Sequence, residues 1–487
     1  MNIEKKRDMR ALLVLFAASA LLLLLFSSCS PLYPLNTWVD PNCYMTVARG
    51  MRAGLVPFRD LMEQKGPLLY FIHLLALLFS PDSFHGVYPI EVIAHTAFLF
   101  AAYKTARLFA KRGIVPVLVA SLMILLNCYG SGDTAEAMCL PFMAWSFYDA
   151  MRYFADDERR MTNAALLRNG FFAGCVFWTK YSLLGLHFAW MAVIAIEAVV
   201  RERKIAHAVK MCVVFLVGMA LSSLPWLVYF GLNGALGDMF DIYFTQNIVG
   251  YTTDDGFFYN VIHGFGNDAL RNSLIALLVF AGFAFLLLAG GKKRGWMKFC
   301  ALAMAACMAV LLYMGGRFRG YTFYVYAVFL PLFAAGAGWL MERPVRLVRI
   351  VSGMLIACML LAFCGYELNG AKGKLGRIGQ DKMELVQYRF AEEINKTDNP
   401  TLLNCGFLDG GFYIAADVIP TERWFCKLNV SHSDCFEAQS SAVAEGRVDY
   451  VVTSGNTLAS LGMDDSRYSL AMEDGQYRLY RLEKPAK

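Results

Sequence analysis

Charge is what this sequence has least of. Asp, Glu, Lys and Arg make up 17% of its 487 residues, hydrophobic residues make up 57%, and mean hydropathy is +0.45. Soluble domains run nearer about 25% charged and roughly 45–50% apolar. That deficit excludes a soluble enzyme, a disordered chain and a nucleic-acid-binding module, each of which needs far more exposed charge. Internal repeats and low-complexity tracts are missing too, which excludes solenoids and biased linkers. No Cys-x-x-Cys and no His/Cys metal spacing occurs, although the chain has 13 cysteines. Most of these, such as Cys139, Cys175, Cys212 and Cys307, lie in or beside apolar segments, where cysteine behaves as a small hydrophobe. Cys405, Cys426 and Cys435 fall in a polar region, and a single disulfide among them is an open option.

The apolar residues come in blocks, for example 11–28 and 210–230. Such blocks are long enough to cross a hydrocarbon core of ~30 Å. The pattern predicts a multi-pass helical membrane protein. Lys5, Lys6, Arg7 and Arg10 precede the first block, and Phe26-Ser27-Ser28-Cys29 has a faint likeness to a lipoprotein cleavage site. The run is longer than a signal-peptide core and further spans follow, so an uncleaved first helix is expected.

Basic loops face the cytoplasm in membrane proteins. The basic clusters are the N-terminus, Lys104/Arg107/Lys111/Arg112, 152–168, Arg201/Arg203/Lys204, Lys292/Lys293/Arg294 and Arg343/Arg346/Arg349. Three apolar stretches separate the first two. The middle one, 67–80, opens with Gly66-Pro67 and contains His73. At about 21 Å of helix it is too short to span, and it reads as a juxtamembrane or re-entrant helix. The remaining spans are then expected near 88–109, 114–128, 136–154, 168–183, 184–200, 207–230, 271–290, 296–314, 321–341 and 346–365. With the first helix that makes about eleven, with the N-terminus inside and the C-terminus outside. The expected fold is an all-α polytopic membrane domain, 1–365, with juxtamembrane helices in a first outer loop near 30–87. A small extracytoplasmic α/β domain follows at 366–487. Its expected elements are a helix near 383–394 and strands at Leu402, 450–452 and 477–482.

Polar groups gathered on one membrane face are costly and usually functional. The first outer loop is the richest place. It carries Asp40, Tyr44, Arg49, Pro57-Phe58-Arg59-Asp60 and Glu63-Gln64-Lys65-Gly66-Pro67. Tyr44, Val47, Ala48, Met51 and Leu55 recur at helical spacing, which predicts an amphipathic helix over 41–54 lying on the membrane surface. Asp40 falls at or just before its start, where a plain N-cap is the competing reading.

The order Asp-x-x-x-Tyr, Ala-Arg-x-Met-x-x-Gly, Pro-Phe-x-Asp, Glu-x-Lys-Gly-Pro-Leu-Leu-Tyr-Phe resembles the membrane glycosyltransferases of the C-type fold. The likeness is to the bacterial branch that includes protein O-mannosyltransferase-like and aminoarabinose-transferase-like enzymes. Gly132-Asp133-Thr134-Ala135-Glu136 is similar to the acidic turn after that family's third span. The resemblance implies sugar transfer from a polyprenyl-phosphate donor to a glycan, lipid or protein acceptor. The site would lie on the outer face of a bacterial inner membrane, and the reaction would invert the anomeric centre. It also implies Asp40 as the base that takes the acceptor proton, with Tyr44 among the substrate-binding residues. One carboxylate suffices for an inverting transfer without a covalent intermediate.

Around that base the assignments stay open. Asp60 and Glu63 bind acceptor, hold a metal, or pair with Arg59 and Lys65. Asp133 and Glu136 line the site or cap a helix. Lys65, Arg317 and Arg319 hold the leaving phosphate, or the two arginines snorkel to headgroups. Some relatives bind a divalent metal, and nothing here compels one. The competing functions are a transporter or flippase of lipid-linked glycans and a glycan polymerase or ligase of another membrane fold. Transporters place ionisable groups mid-span in repeated halves, a pattern this chain does not show.

Overall fold

The computed structural model describes residues 3–110, 132–289, 295–316, 320–429 and 433–483. In chain order its helices begin with α1 (Ile3–Phe26), α2 (Val39–Arg52), α3 (Pro67–Ala76), α4 (Val87–Arg107) and α5 (Ala135–Ala155). Next come α6 (Asn163–Lys180), α7 (Gly185–Glu202), α8 (Ile205–Leu232), α9 (Phe257–Arg271) and α10 (Ser273–Ala289). The last are α11 (Gly295–Tyr313), α12 (Leu330–Met341), α13 (Arg346–Leu375), α14 (Val386–Ile394) and α15 (Ser433–Glu445). The chain divides into two compact bodies. One comprises Met1–Ser27, Pro89–Trp226 and Thr252–Gly376; the other comprises Ser28–Tyr88, Leu227–Tyr251 and Arg377–Lys487.

The first body is helical. Among the described residues five helical stretches are long and apolar enough to cross a membrane: Ile3–Phe26, Phe84–Arg107, Ile205–Leu232, Gly295–Tyr313 and Gly320–Met341. A sixth arises if α9 and α10, bent by 109° at their junction, count as one broken span. The expected spans at 136–154, 168–183 and 184–200 are helical but fall short of that measure; 346–365 is helical with some side chains outside the described residues, and 114–128 lies outside them altogether. Eleven spans are therefore not confirmed, and three of the expected ones are less apolar than a clean span. The physical reason is visible in α5 to α7, which carry charged groups that pair inward. Asp149 accepts from Asn169 Nδ2 at 2.8 Å and from Arg168, while Glu197 accepts from Tyr153 Oη at 2.6 Å and from Arg159. A buried charge is tolerated only when paired and hydrogen-bonded in this way.

α6 and α8 pack backbone to backbone. A Cβ on Gly170 would meet the carbonyl of Phe215, and one on Gly218 would meet the carbonyl of Leu167. Small residues are what allow such an approach. On the outside, Leu13, Val213, Leu216, Leu277 and Leu355 are exposed, a surface that suits lipid rather than water. α9 carries its polarity inward. Asn260 and Asp268 are buried while Phe258, Ile262 and Leu270 are exposed. Asp268 accepts from Tyr313 Oη at 3.0 Å and Thr322 Oγ1 at 2.8 Å. The segment expected to be outer loop at 231–270 is thus largely helical.

The second body is built on a four-stranded sheet: β1 (Leu402–Asn404), β2 (Tyr450–Ser454), β3 (Tyr468–Asp474) and β4 (Tyr477–Leu482). The order is β1-β2-β4-β3, with β1 and β2 parallel and the other pairs antiparallel. Leu403, Val443, Val451 and Tyr480 share its core. β3 has no counterpart in the sequence expectations, because it is an edge strand with Ser469, Leu470 and Ala471 exposed. Its turn into β4 is two residues long, with Gly475 at φ +58°, the backbone state that hairpin turns of this length require.

α2 belongs to this second body, and every residue from Pro41 to Gly50 is buried. A helix lying on a membrane surface would keep its polar face in water. Here that face is covered by the C-terminal residues. Cys43, Thr46 and Arg49 form a stripe at three-residue spacing. It meets Cys426 Sγ at 3.8 Å, Asp409 Oδ2 at 2.6 Å and the Tyr413 carbonyl at 2.9 Å, in that order. The opposite face meets α3, where Tyr44 stands edge-on to His73 with ring centroids 5.5 Å apart.

Candidate functional site

Asp40 is half-buried in the first turn of α2. The residue flanking the helix is Trp38, and no side chain caps it, so Asp40 does not spend its carboxylate on helix capping. Among the described residues its one hydrogen-bond contact is with Asn429 Nδ2 at 3.5 Å, at the outer limit of such a bond. Tyr44 follows one turn later, and Lys65 Nζ lies 5.9 Å from the centre of its ring. Asp40, Tyr44 and Lys65 are thereby held in one neighbourhood of the second body.

The other two carboxylates of that loop are committed. Asp60 closes a tight turn: its Oδ2 accepts from the Val56 amide at 2.7 Å, and Arg59 grips both oxygens at 2.8 Å. The Arg59 hydrogen bond holds the Asp60 carboxyl below its ordinary range, against a smaller opposing effect of burial. The same turn forces Phe58 to φ +69°, costly for a bulky residue. Packing offsets that cost. Phe58 is buried against Tyr70 and Phe230, and Arg423 donates to its carbonyl at 2.9 Å. Glu63 is buried too, accepting from the Lys65 amide at 2.7 Å and from Tyr70 Oη. Burial, reinforced by that carboxylate, pushes the Tyr70 hydroxyl well above its usual pKa. The Pro-Phe-x-Asp and Glu-x-Lys motifs therefore build the loop that presents Lys65.

Gln64 is a residue that sequence reasoning passed over. Its Nε2 donates to Tyr251 Oη at 2.8 Å and its carbonyl accepts from Asn247 at 2.7 Å, while Oε1 is buried without a partner among the described residues.

Asp133 and Glu136 belong to the first body. Gly132 and Asp133 both take left-handed backbone, at φ +72° and +61°. Thr134 rather than either acid caps α5, accepting from the Ala137 amide at 3.2 Å. Glu136 is buried in the first turn and bound to Lys180. The Asp133 amide donates to Glu91 Oε1 at 2.7 Å, and Glu91 Oε2 accepts from Ser27 Oγ at 2.5 Å. Glu91, missed from sequence, lines a cavity of about 30 Å³ with Ser27, His95 and Gly132. A carboxylate in the apolar run 88–109 was the available signal. Arg317 and Arg319 lie outside the described residues. Among the described residues no three His, Cys, Asp or Glu side chains converge to hold a metal ion.

No family model matches the sequence, and no curated protein matches it. Solved structures do. The archaeal oligosaccharyltransferase AglB from Archaeoglobus fulgidus, in complex with an inhibitory peptide and a dolichol-phosphate, superposes with a TM-score of 0.54 at 12% identity. The match covers 93% of this chain and 70% of that one. An Archaeoglobus fulgidus oligosaccharyltransferase complexed with Zn and sulfate gives a TM-score of 0.51 at 12% identity, over 93% and 71%. The chain thus shares the fold of these two oligosaccharyltransferase structures.

Proposed function

We propose that this protein transfers a sugar from a polyprenyl-phosphate-linked donor to an envelope acceptor (glycan, lipid or protein) on the extracytoplasmic face of a bacterial inner membrane. In this reading it belongs to the bacterial branch of C-type enzymes named above. Its N-terminus is cytoplasmic and its 366–487 domain is outside. Asp40 is the base. The observation that carries this is the contrast among carboxylates. Asp60 is gripped by Arg59, Glu63 by Tyr70, and Glu136 by Lys180, while Asp40 has, among the described residues, one long contact from Asn429. A carboxylate with free lone pairs is what an acceptor hydroxyl needs.

The acceptor oxygen attacks the anomeric carbon as its proton passes to Asp40. The bond to the phosphate oxygen breaks on the opposite face, and polyprenyl phosphate leaves with the electron pair. Lys65 supplies positive charge to that phosphate. Tyr44 lines the floor between the base and Lys65, and Asp133 and Glu136 shape the acidic turn.

The test is reconstitution in vesicles with radiolabelled polyprenyl-phosphate sugars and an envelope acceptor pool. Asp40→Asn is expected to cut transfer by about 10²–10⁴-fold with donor binding retained. Unchanged transfer by that variant overturns the assignment. Label crossing the bilayer without a glycosylated product would instead show a transporter.

A further inference from the structure

Cys43 and Cys426 are 383 positions apart in sequence, yet their sulfurs are 3.8 Å apart and both side chains are buried. Cys43 lies three residues after Asp40 on α2. Cys426 lies three residues before Asn429, the residue that contacts Asp40. Of the other two cysteines of the polar C-terminal region, Cys405 Sγ meets Met463 Sδ at 3.1 Å, and Cys435 Sγ meets the backbone carbonyl of Cys426 at 3.8 Å.

We propose that Cys43 and Cys426 form a disulfide in the mature protein, tying the helix that carries Asp40 to the C-terminal sheet domain. A disulfide needs its sulfurs about 2.05 Å apart. The remaining approach is under ~2 Å, within reach of small χ1 rotations on both sides. The proposal rests on the extracytoplasmic placement put forward above, because cytosolic thiols stay reduced.

The oxidant is a protein carrying a reactive disulfide. One cysteine thiolate attacks it, forming a mixed disulfide. The second thiolate then displaces the oxidant, which leaves as a dithiol carrying both electrons and the two protons of the original thiols. Exchange precedes final packing. Once folded, the hydrogen bond from Cys426 favours the Cys43 thiolate, but burial and the carboxylates of Asp409, Glu63 and Asp40 outweigh it and raise the thiol. Burial raises Cys426 well above its ordinary value. A bond formed before closure is shielded from later exchange.

The experiment is peptide mapping by mass spectrometry. Protein is extracted from membranes in the presence of an alkylating agent, without reductant, alongside a fusion carrying a compartment reporter after residue 482. The expected result is a linked pair of peptides containing Cys43 and Cys426, seen whether or not sugar transfer is active. Recovery of both as alkylated thiols with the reporter outside overturns the disulfide and leaves the transferase reading standing. The same recovery with the reporter inside overturns both the bond and the placement. A Cys426–Cys435 or Cys405–Cys426 link also overturns it. As a second readout, reductant should lower the thermal midpoint of the wild-type chain in detergent. The double variant Cys43→Ala/Cys426→Ala should not respond, and equal sensitivity of the two refutes the proposal.

Discussion

Removing the Arg49 guanidinium should loosen α2 far more than removing its carboxylate partner. Arg49 is 3% exposed, whereas the Asp417 side chain that pairs with it is 72% exposed. Burial opposes the Arg49 charge, and Asp417 offsets part of that opposition. The guanidinium also donates to the Tyr413 carbonyl at 2.9 Å. Arg49→Ala removes a charge-assisted hydrogen bond worth about 1.5–3 kcal/mol, leaves a carbonyl without its donor, and empties the space of the buried stem. A loss of about 3 kcal/mol is expected. In Asp417→Asn the pair breaks at its watery end, where solvent replaces the carboxylate, and the expected loss is under about 1 kcal/mol. Native-state hydrogen exchange read by mass spectrometry on peptides covering 39–52 and 409–418 measures both. Equal costs for the two variants would show that the ion pair, not the buried anchor, holds α2, and would refute the reasoning.

Two further outcomes follow from other buried groups. Glu136 and Lys180 form a pair whose acid is 4% exposed. Glu136→Gln or Lys180→Met alone should destabilise by about 3 kcal/mol and the double variant by clearly less; strictly additive losses in a double-mutant cycle on thermal unfolding would deny the coupling. Asp409 is fully buried beneath Thr46, Asn404 and Gly411, and burial raises its carboxyl to about 6. The folded state then holds a proton that the unfolded chain releases near pH 4. The stability of the second body should therefore fall as pH rises from about 4 to about 6 and level off above. Asp409→Asn should flatten that part of the exchange-derived pH profile, and an unchanged slope would show that another group titrates there.

Long local patterns were legible in the sequence. The apolar block at 210–230 lies inside one unbroken helix, the block at 11–28 is helical as far as Phe26, and 67–80 formed a ten-residue helix too short to cross a bilayer. The strands at Leu402, 450–452 and 477–482 appeared where alternation and β-branched residues placed them. What went astray was what depends on partners. α2 reads as a surface helix only while the residues that cover its polar stripe are unknown. Glu91 was passed over because nothing near it in sequence announces Ser27 or the Asp133 amide.

The sequence by itself determined that the chain is helical and lipid-facing, because hydrophobic period and block length act within twenty or so residues. It also assembled the loop of Asp40, Tyr44, Asp60, Glu63 and Lys65, with Asp40 set apart as the base only by the family resemblance and the roles of the others open. Only the tertiary structure showed which of the other carboxylates are committed. Arg59 and Tyr70 commit Asp60 and Glu63 from within the loop, while Thr46, Arg49 and Cys43 find partners more than 360 residues away. Such pairings are settled by packing and by the cost of an unpaired buried polar group, and neither has a local signature to read.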